Sequence, residues 1–264
     1  MTPTSLHRIH FLLALLVLII ARGTQAQPTE LSYEIASKQV QDTTAFVQGF
    51  TFHDNKLYLS TGGYGESRVQ IIEPDTGKVE IEAELADRYF GEGIAILNNR
   101  LAQLTWRSGL GFLRDPTTLK IVERFRIPGE GWGITASDSG WVMSDGSSYL
   151  TFLDPETMKI TRKVQVTLNE RPLARLNELE MIDGYIWANI WFESRVVLIN
   201  PDNGRVEATL DLSKLLPKEE RKRDTDVLNG IAFNPASNTV WVTGKRWPWR
   251  YQLEILPARP KLSQ

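Results

Sequence analysis

Residues 71–79 read IIEPDTGKV, an apolar run that stops at a Pro-Asp-x-Gly turn and then resumes. Proline fixes φ at one turn position and glycine accepts the conformation that closes it, so the stretch predicts two antiparallel strands joined by a tight turn. The pattern returns as FLRDPTTLKIV (112–122), FLDPETMKIT (152–161), LINPDNGRV (198–206) and, more loosely, AFNPASNTVWV (232–242). A second pattern interleaves with it: a Gly or acidic residue, a short apolar strand, a polar turn, and another strand rich in Trp or Tyr. It reads QGFTFHDNKLYLSTG (48–62), EGIAILNNRLAQLTW (92–106), GWGITASDSGWVMSDG (131–146), ELEMIDGYIWANIW (178–191) and NGIAFNPASNTVWVTGK (229–245).

Together the two patterns mark five units of roughly 40 residues, each with material for about four short strands; that is the arithmetic of an all-β, five-bladed β-propeller with four-stranded antiparallel blades. A β-sandwich or barrel would make the spacing a coincidence, and two patterns recurring in register argue against it. To close such a ring, the N-terminal strand Leu31 to Ala36 is expected to complete a blade with the C-terminal strand Tyr251 to Leu256. The segment Leu212 to Asp226 departs from the pattern and reads as a helical or irregular insertion.

Residues 1–26 read as a secretory signal peptide. His7, Arg8 and His10 form a basic n-region, Phe11 to Ala21 is an apolar run short for a spanning helix, and Thr24-Gln25-Ala26 offers the small residues a signal peptidase reads. Cleavage is expected before Gln27, leaving 27–264 as a single propeller domain that is secreted or periplasmic and has no further membrane-competent segment.

Thirty Lys and Arg stand against 32 Asp and Glu, mixed along the chain, which supplies no basic field for nucleic acid. Cysteine is absent, which excludes a disulfide framework and a thiol nucleophile. Beyond the leader only His53 remains, so a zinc site built on several histidines is excluded and a Ser-His-Asp triad would have to use His53. That residue sits in Phe52-His53-Asp54-Asn55-Lys56, which reads as an exposed hairpin turn.

In a propeller the innermost strands begin around one mouth of a central channel. Their leading residues here are Phe46-Val47-Gln48-Gly49, Phe90-Gly91-Glu92-Gly93, Glu130-Gly131-Trp132-Gly133, Asn177-Glu178-Leu179-Glu180 and Leu228-Asn229-Gly230. Gln48, Glu92, Glu130 or Trp132, Asn177 or Glu178, and Asn229 should therefore converge in a polar, aromatic pocket. Glu92 is the candidate catalytic residue, since glycines on both sides let backbone and ligand approach closely; the same motif in isolation also fits a solvated turn. Trp106, Trp187, Trp191, Trp241, Trp247 and Trp249 fall near strand ends, where sequence does not separate a core indole from a pocket one. Lys245, ending a β-run, is a candidate ionic partner for the carboxylate.

YFGEGI (89–94), QLTW (103–106), WGIT with MSDGSSYLTFLDPET (132–157), LNELEMIDGYIWANIW (176–191), DVLNGIAF (226–233) and VTGKRWP (242–248), in this order, resemble the plant-type glutaminyl-peptide cyclotransferases, or glutaminyl cyclases, which include bacterial secreted members. The resemblance covers about Phe46 to Leu256 and implies a five-bladed propeller that converts N-terminal glutaminyl residues of peptides to pyroglutamyl with release of ammonia. It implies site residues Phe46, Gln48, Glu92, Trp106, Trp132, Asn177, Trp191 and Lys245. Family members usually read close to YESTG where this chain has Tyr58-Leu59-Ser60-Thr61-Gly62, so Leu59 removes any polar role of that Glu in the first unit.

The reaction so implied needs a neutral α-amine, stabilisation of charge on the amide oxygen, and a proton for the departing nitrogen. Glu92 is expected to carry that proton, its pKa raised by burial against Phe90 and tryptophan faces and drawn back by Lys245. Gln48 and Asn177 would bind the amide or the oxyanion, and Trp106, Trp132 and Trp191 would wall the pocket. No metal or other cofactor is required; carbonyls facing the channel could hold a structural calcium, on which the sequence is silent. The expected partners are peptide or protein N-termini bearing Gln, met by a monomer with no nucleic-acid partner and no membrane association once the leader is gone. The alternatives are a secreted propeller that binds peptides without turnover, and a calcium-dependent lactonase-like hydrolase, which would need several carboxylates and often His around the channel.

Overall fold

The computed structural model describes residues 27–262; the leader expected at 1–26 lies outside them. Strand β1 (Thr29–Val40) opens the described chain. A first sheet follows as β2 (Val47–His53), β3 (Lys56–Thr61), β4 (Arg68–Ile72) and β5 (Val79–Glu84), and a second as β6 (Gly91–Leu97), β7 (Arg100–Thr105), β8 (Leu110–Arg114) and β9 (Ile121–Arg126). The third is β10 (Ile134–Ser137), β11 (Gly140–Met143), β12 (Tyr149–Leu153) and β13 (Ile160–Gln165), trailed by the small hairpin of β14 (Thr167–Leu168) and β15 (Arg171–Pro172). A fourth group comprises β16 (Leu176–Ile182), β17 (Tyr185–Ile190), β18 (Arg195–Ile199) and β19 (Val206–Asp211); the last comprises β20 (Leu228–Asn234), β21 (Thr239–Gly244) and β22 (Trp249–Leu256), with β1 as its fourth strand. The fold is all-β, and within each group of four the neighbouring strands are antiparallel.

Turn chemistry explains the meanders. Asp54-Asn55, Asn98-Asn99 and Asp183-Gly184 all take positive φ, the mirror-image turn whose twist suits a two-residue hairpin, and each joins the first strand of its sheet to the second. The Pro-containing turns join the third strand to the fourth. In each, a backbone N–H returns to a carbonyl four residues earlier: Gly77 to Glu73 at 2.8 Å, Leu119 to Asp115 at 2.8 Å, Met158 to Asp154 at 3.0 Å and Gly204 to Asn200 at 2.9 Å. The donor is left-handed every time, so Leu119 (φ 59°) and Met158 (φ 57°) hold a conformation that glycine adopts at the other two sites. The turn around Pro235, grouped with these in the sequence, is different: it joins β20 to β21, first strand to second. The last sheet needs no third-to-fourth turn, because those strands, β22 and β1, come from opposite ends of the chain.

That pairing runs from Ser32 opposite Leu256 to Val40 opposite Trp249, longer than the segments expected from sequence. In addition, Thr29–Leu31 pairs in parallel with Ala208–Leu210 of β19, which fuses the fourth and fifth groups into one eight-stranded sheet. The hairpin β14–β15 was likewise unforeseen. Residues 212–226 contain one 3-10 turn, Lys218–Glu220, and are otherwise irregular.

The inner strands touch in cyclic order, β2 with β6, β6 with β10, β10 with β16, β16 with β20 and β20 with β2. They are buried along most of their length, whereas the outer strands β5, β9 and β13 are largely exposed. Apolar side chains fill the spaces between successive sheets. Tyr58, Ile71, Ile94 and Leu101 pack between the first and second, Leu104, Ile134 and Trp141 between the second and third, and Leu150, Phe152, Ile186 and Val197 between the third and fourth. Trp187, Leu198, Val242 and Tyr251 lie between the fourth and fifth, and Phe50, Leu59, Ala232 and Trp241 between the fifth and first. Leu59, where the resemblance leads one to expect Glu, is 1% exposed in this last layer and is a core residue.

Candidate active site

Four of the five inner strands, β2, β6, β16 and β20, are irregular at a leading polar residue. Val47 pairs with Thr61 but Gly49 with Ser60, leaving Gln48 as an extra residue; Gly91 pairs with Thr105 and Ile94 with Gln103, which places the irregularity at Glu92-Gly93. Asn177-Glu178 and Asn229-Gly230 interrupt β16 and β20 in the same way. A β-bulge turns a side chain out of the regular alternation, and here it aims polar groups at the ring's interior. The glycines let the bulges meet: a Cβ on Gly93 would lie 2.7 Å from the Trp132 carbonyl oxygen, and one on Gly133 only 2.0 Å from that of Asn177.

A cavity of about 330 Å³ opens over these bulges. The eight residues implied by the resemblance all line it, Phe46, Gln48, Glu92, Trp106, Trp132, Asn177, Trp191 and Lys245, whereas Glu130, Glu178 and Asn229, also expected to converge there, are not among its lining residues. Phe90, Phe192 and Asp226 complete its wall. Phe90 was implicated as a neighbour of Glu92; Phe192 and Asp226 were missed, the first because nothing in a residue after Trp191 tells on which side of the loop it falls. His53 is not among the lining residues and ends the β2–β3 hairpin, as its motif suggests.

The floor of the cavity is buried. Glu92 is 3% exposed, and its Oε1 accepts a hydrogen bond from Gln48 Nε2 at 3.0 Å. Asn229 Nδ2 lies 3.4 Å from Gln48 Oε1 and donates to the Val47 carbonyl at 3.0 Å, so three of the converging positions form one chain. Burial pushes the Glu92 carboxyl well above its ordinary range; Lys245 pulls it down and Glu130 adds to the rise. Burial likewise lowers the Lys245 ammonium, against the opposing pull of Glu92 and Asp226. The ammonium lies 4.8 Å from the centre of the Phe46 ring.

The walls are linked aromatics. Phe90 meets Phe46 and Trp106 edge to face, Trp132 meets Trp191 edge to face at 5.2 Å, and Phe192 stacks on Trp191 at 4.1 Å. Glu130 joins the two halves. Its Oε2 accepts from the indole N–H of Trp106 at 2.8 Å and from that of Trp132 at 3.0 Å, and its Oε1 accepts from Arg107 at 2.9 Å. Partial burial alone would raise Glu130, but these donors outweigh it and hold the carboxyl below its usual range. The choice between Glu130 and Trp132 left open by the sequence is thereby resolved: Trp132 faces the cavity and Glu130 fastens it from behind. Trp187, Trp241 and Trp247 are core side chains, and Trp249 packs against the core beside Lys38.

Two further carboxylates are buried on β16. Glu178 accepts from the backbone N–H of Phe50 at 3.1 Å and of Ile231 at 2.8 Å, and Glu180 accepts from Phe233 at 3.2 Å and from the Thr51 hydroxyl. They tie β16 to β2 and β20. Burial raises both, Glu180 to about 8. Among the described residues no group of three or more His, Asp or Glu side chains is placed to hold a metal ion.

An all-β frame that delivers a buried carboxylate, an amide and an ammonium to the floor of an aromatic cavity has the makings of an enzyme site for a small group. The sequence profile of a family described as glutamine cyclotransferase matches residues 10–255. Arabidopsis thaliana glutaminyl-peptide cyclotransferase is 39% identical over 232 residues, covering 86% of this chain and 72% of the relative. The crystal structure of Myxococcus xanthus glutaminyl cyclase superposes with a TM-score of 0.81 at 32% identity, covering 87% of this chain and 98% of that one. The chain belongs to the glutamine cyclotransferase family.

Proposed function

We propose that this protein is a five-bladed β-propeller enzyme that converts the N-terminal glutaminyl residue of peptides and proteins to pyroglutamyl, with release of ammonia. Family membership supports the reaction, and the cyclic order of inner strands with five interlayer cores supports the propeller. The observation that carries the mechanism is Glu92: a carboxyl buried at the floor of an aromatic cavity, held by Gln48 and facing the charge of Lys245.

In this reading the substrate's α-amine attacks its own side-chain amide carbon. A C–N bond forms, the carbonyl oxygen takes up negative charge, and the intermediate collapses as the C–NH2 bond breaks. Glu92 receives the proton shed by the attacking nitrogen and returns it to the departing one, so that ammonia leaves and the carboxylate is restored. A pKa raised by burial suits a group that must both accept and donate near neutrality. Because Gln48 Nε2 is engaged by Glu92, Gln48 orients the carboxylate, and Asn177 and Lys245 are left to stabilise the developing oxyanion. The aromatic walls fold the glutaminyl side chain back onto its own amine and exclude water, exploiting the high effective concentration of an intramolecular reaction.

Glu92→Gln should abolish most ammonia release from Gln-initiated dipeptide amides and leave the fold intact. Near-normal kcat in that variant would remove Glu92 from the proton's path. A folded wild type that binds Gln-peptides without releasing ammonia would instead be a peptide-binding module. The enzyme acts without a metal, so dialysis against a chelator should leave turnover unchanged. It is further proposed to be exported as a monomer to the periplasm or beyond, in view of the apolar leader at Phe11 to Ala21. Mass spectrometry of the exported protein should then find Gln27, or its cyclised form, at the N-terminus.

A further inference from the structure

The cavity has a direction. Gln48, Glu92, Asn177 and Lys245 are each no more than 5% exposed and mark the floor, whereas Phe192, at 62%, and Asp226 stand in solvent and mark the mouth. A glutaminyl residue whose side chain and amine reach Glu92 must send the rest of its peptide out past these two. Phe192 is the one large apolar side chain there that is left uncovered: one face stacks on Trp191, with the rings 27° from parallel, and the other is open to water. Its backbone is left-handed at φ 68°, an expensive conformation for a residue with a Cβ, where Gly or Asn would sit at ease. The stack on Trp191 accounts for one face of this ring, and no packing contact accounts for the face left open at the rim of the cavity.

We propose that Phe192, backed by Trp191, forms a subsite for the second residue of the substrate and selects aromatic or large apolar side chains there. The inference rests on the cyclotransferase reading and names the substrate class within it. An aromatic side chain leaving the mouth covers the free face of Phe192, extending the stack that Trp191 and Phe192 begin. A small side chain leaves that face wet. Since the second residue is remote from the bonds that form and break, the gain is the same in ground and transition states and falls on KM.

The test is ammonia release by the full-length protein from Gln-Phe, Gln-Ala and Gln-Lys amides, with wild type, Phe192→Gly and Phe192→Tyr. Wild type should favour Gln-Phe over Gln-Ala by about fivefold in kcat/KM, a stacking-sized effect expressed in KM. Phe192→Gly should bring that ratio close to one with Tm maintained or raised, because glycine relieves the backbone, and Phe192→Tyr should preserve the ratio. A wild type that ignores the second residue or prefers Lys, or a glycine variant that keeps the preference for Phe, overturns the subsite while leaving the reaction standing. Silence on all three amides would instead defeat the cyclotransferase reading and the subsite with it.

Discussion

Glu92 and Lys245 share the cavity floor, and burial drives both toward their neutral forms while each pulls the other toward charge. Their coupling makes a signed prediction. Replacing Lys245 by Met removes the positive field that lowers Glu92, so the acid limb of the kcat/KM profile should move to higher pH, alongside a fall in maximal rate. A pH–rate profile of the variant checks this, and a limb displaced to lower pH would mean that Lys245 acts on some other group. The Glu92 motif could be read from sequence because two glycines and a repeat position marked it out. Phe192 and Asp226 could not, since cavity membership there depends on a loop's course and on no local pattern. The tryptophans fell between these cases: Trp106 and Trp187 both read as indoles near strand ends, and only three-dimensional placement makes one a cavity wall and the other a mid-strand core residue.

Among the elements, the bulged inner strands do most to set the site, and they do so through backbone proximity. Gly133 shows how little room is left, for a methyl group there would meet the Asn177 carbonyl at 2.0 Å. Gly133→Ala should therefore cost about 1–3 kcal/mol, a typical overpacking penalty, and lower kcat as Asn177 is displaced. Thermal melting with a parallel ammonia assay reads both effects; an unchanged Tm would show that the two strands can part freely. Strand positions and hairpin turns were legible because Asn-Asn, Asp-Gly and Pro-Asp-x-Gly turns have local causes. The turn at Pro235 misled because its proline groups it loosely with the other four, but its place in the sheet is fixed by β1 arriving from the far end of the chain. The parallel contact of β1 with β19, too, has no sequence signal, being two distant edges brought side by side.

At the scale of the molecule, Glu178 and Glu180 join β16 to β2 and β20, and burial favours the protonated form of each. A carboxyl with pKa about 8 in the fold and near 4.5 in the unfolded chain binds more protons when folded across that interval. Stability should then fall as pH rises from about 5 to about 8, the reverse of the usual carboxylate effect. The lowered carboxylates, such as Asp115 at about 2, act only below this window. Tm measured across that range should decline for wild type and flatten for Glu180→Gln; a flat wild-type curve would mean that these groups stay ionised. The all-β, repeating character of the chain was legible from its repeats, whereas Glu178 was read as an alternative to Asn177 in the pocket and its role, with Glu180, in tying strands together was not legible.

The union of β1 with β22 also constrains how the protein is made. A ribosome delivers β1 first and β22 last, with Ser32 and Leu256 separated by 224 positions, so the twelve-residue opening strand has no antiparallel partner until synthesis is nearly complete. Contacts of such long range form slowly and late. The β1–β22 closure must therefore follow the pairing of strands adjacent in sequence, which makes it the contact most sensitive to loss of either end of the chain.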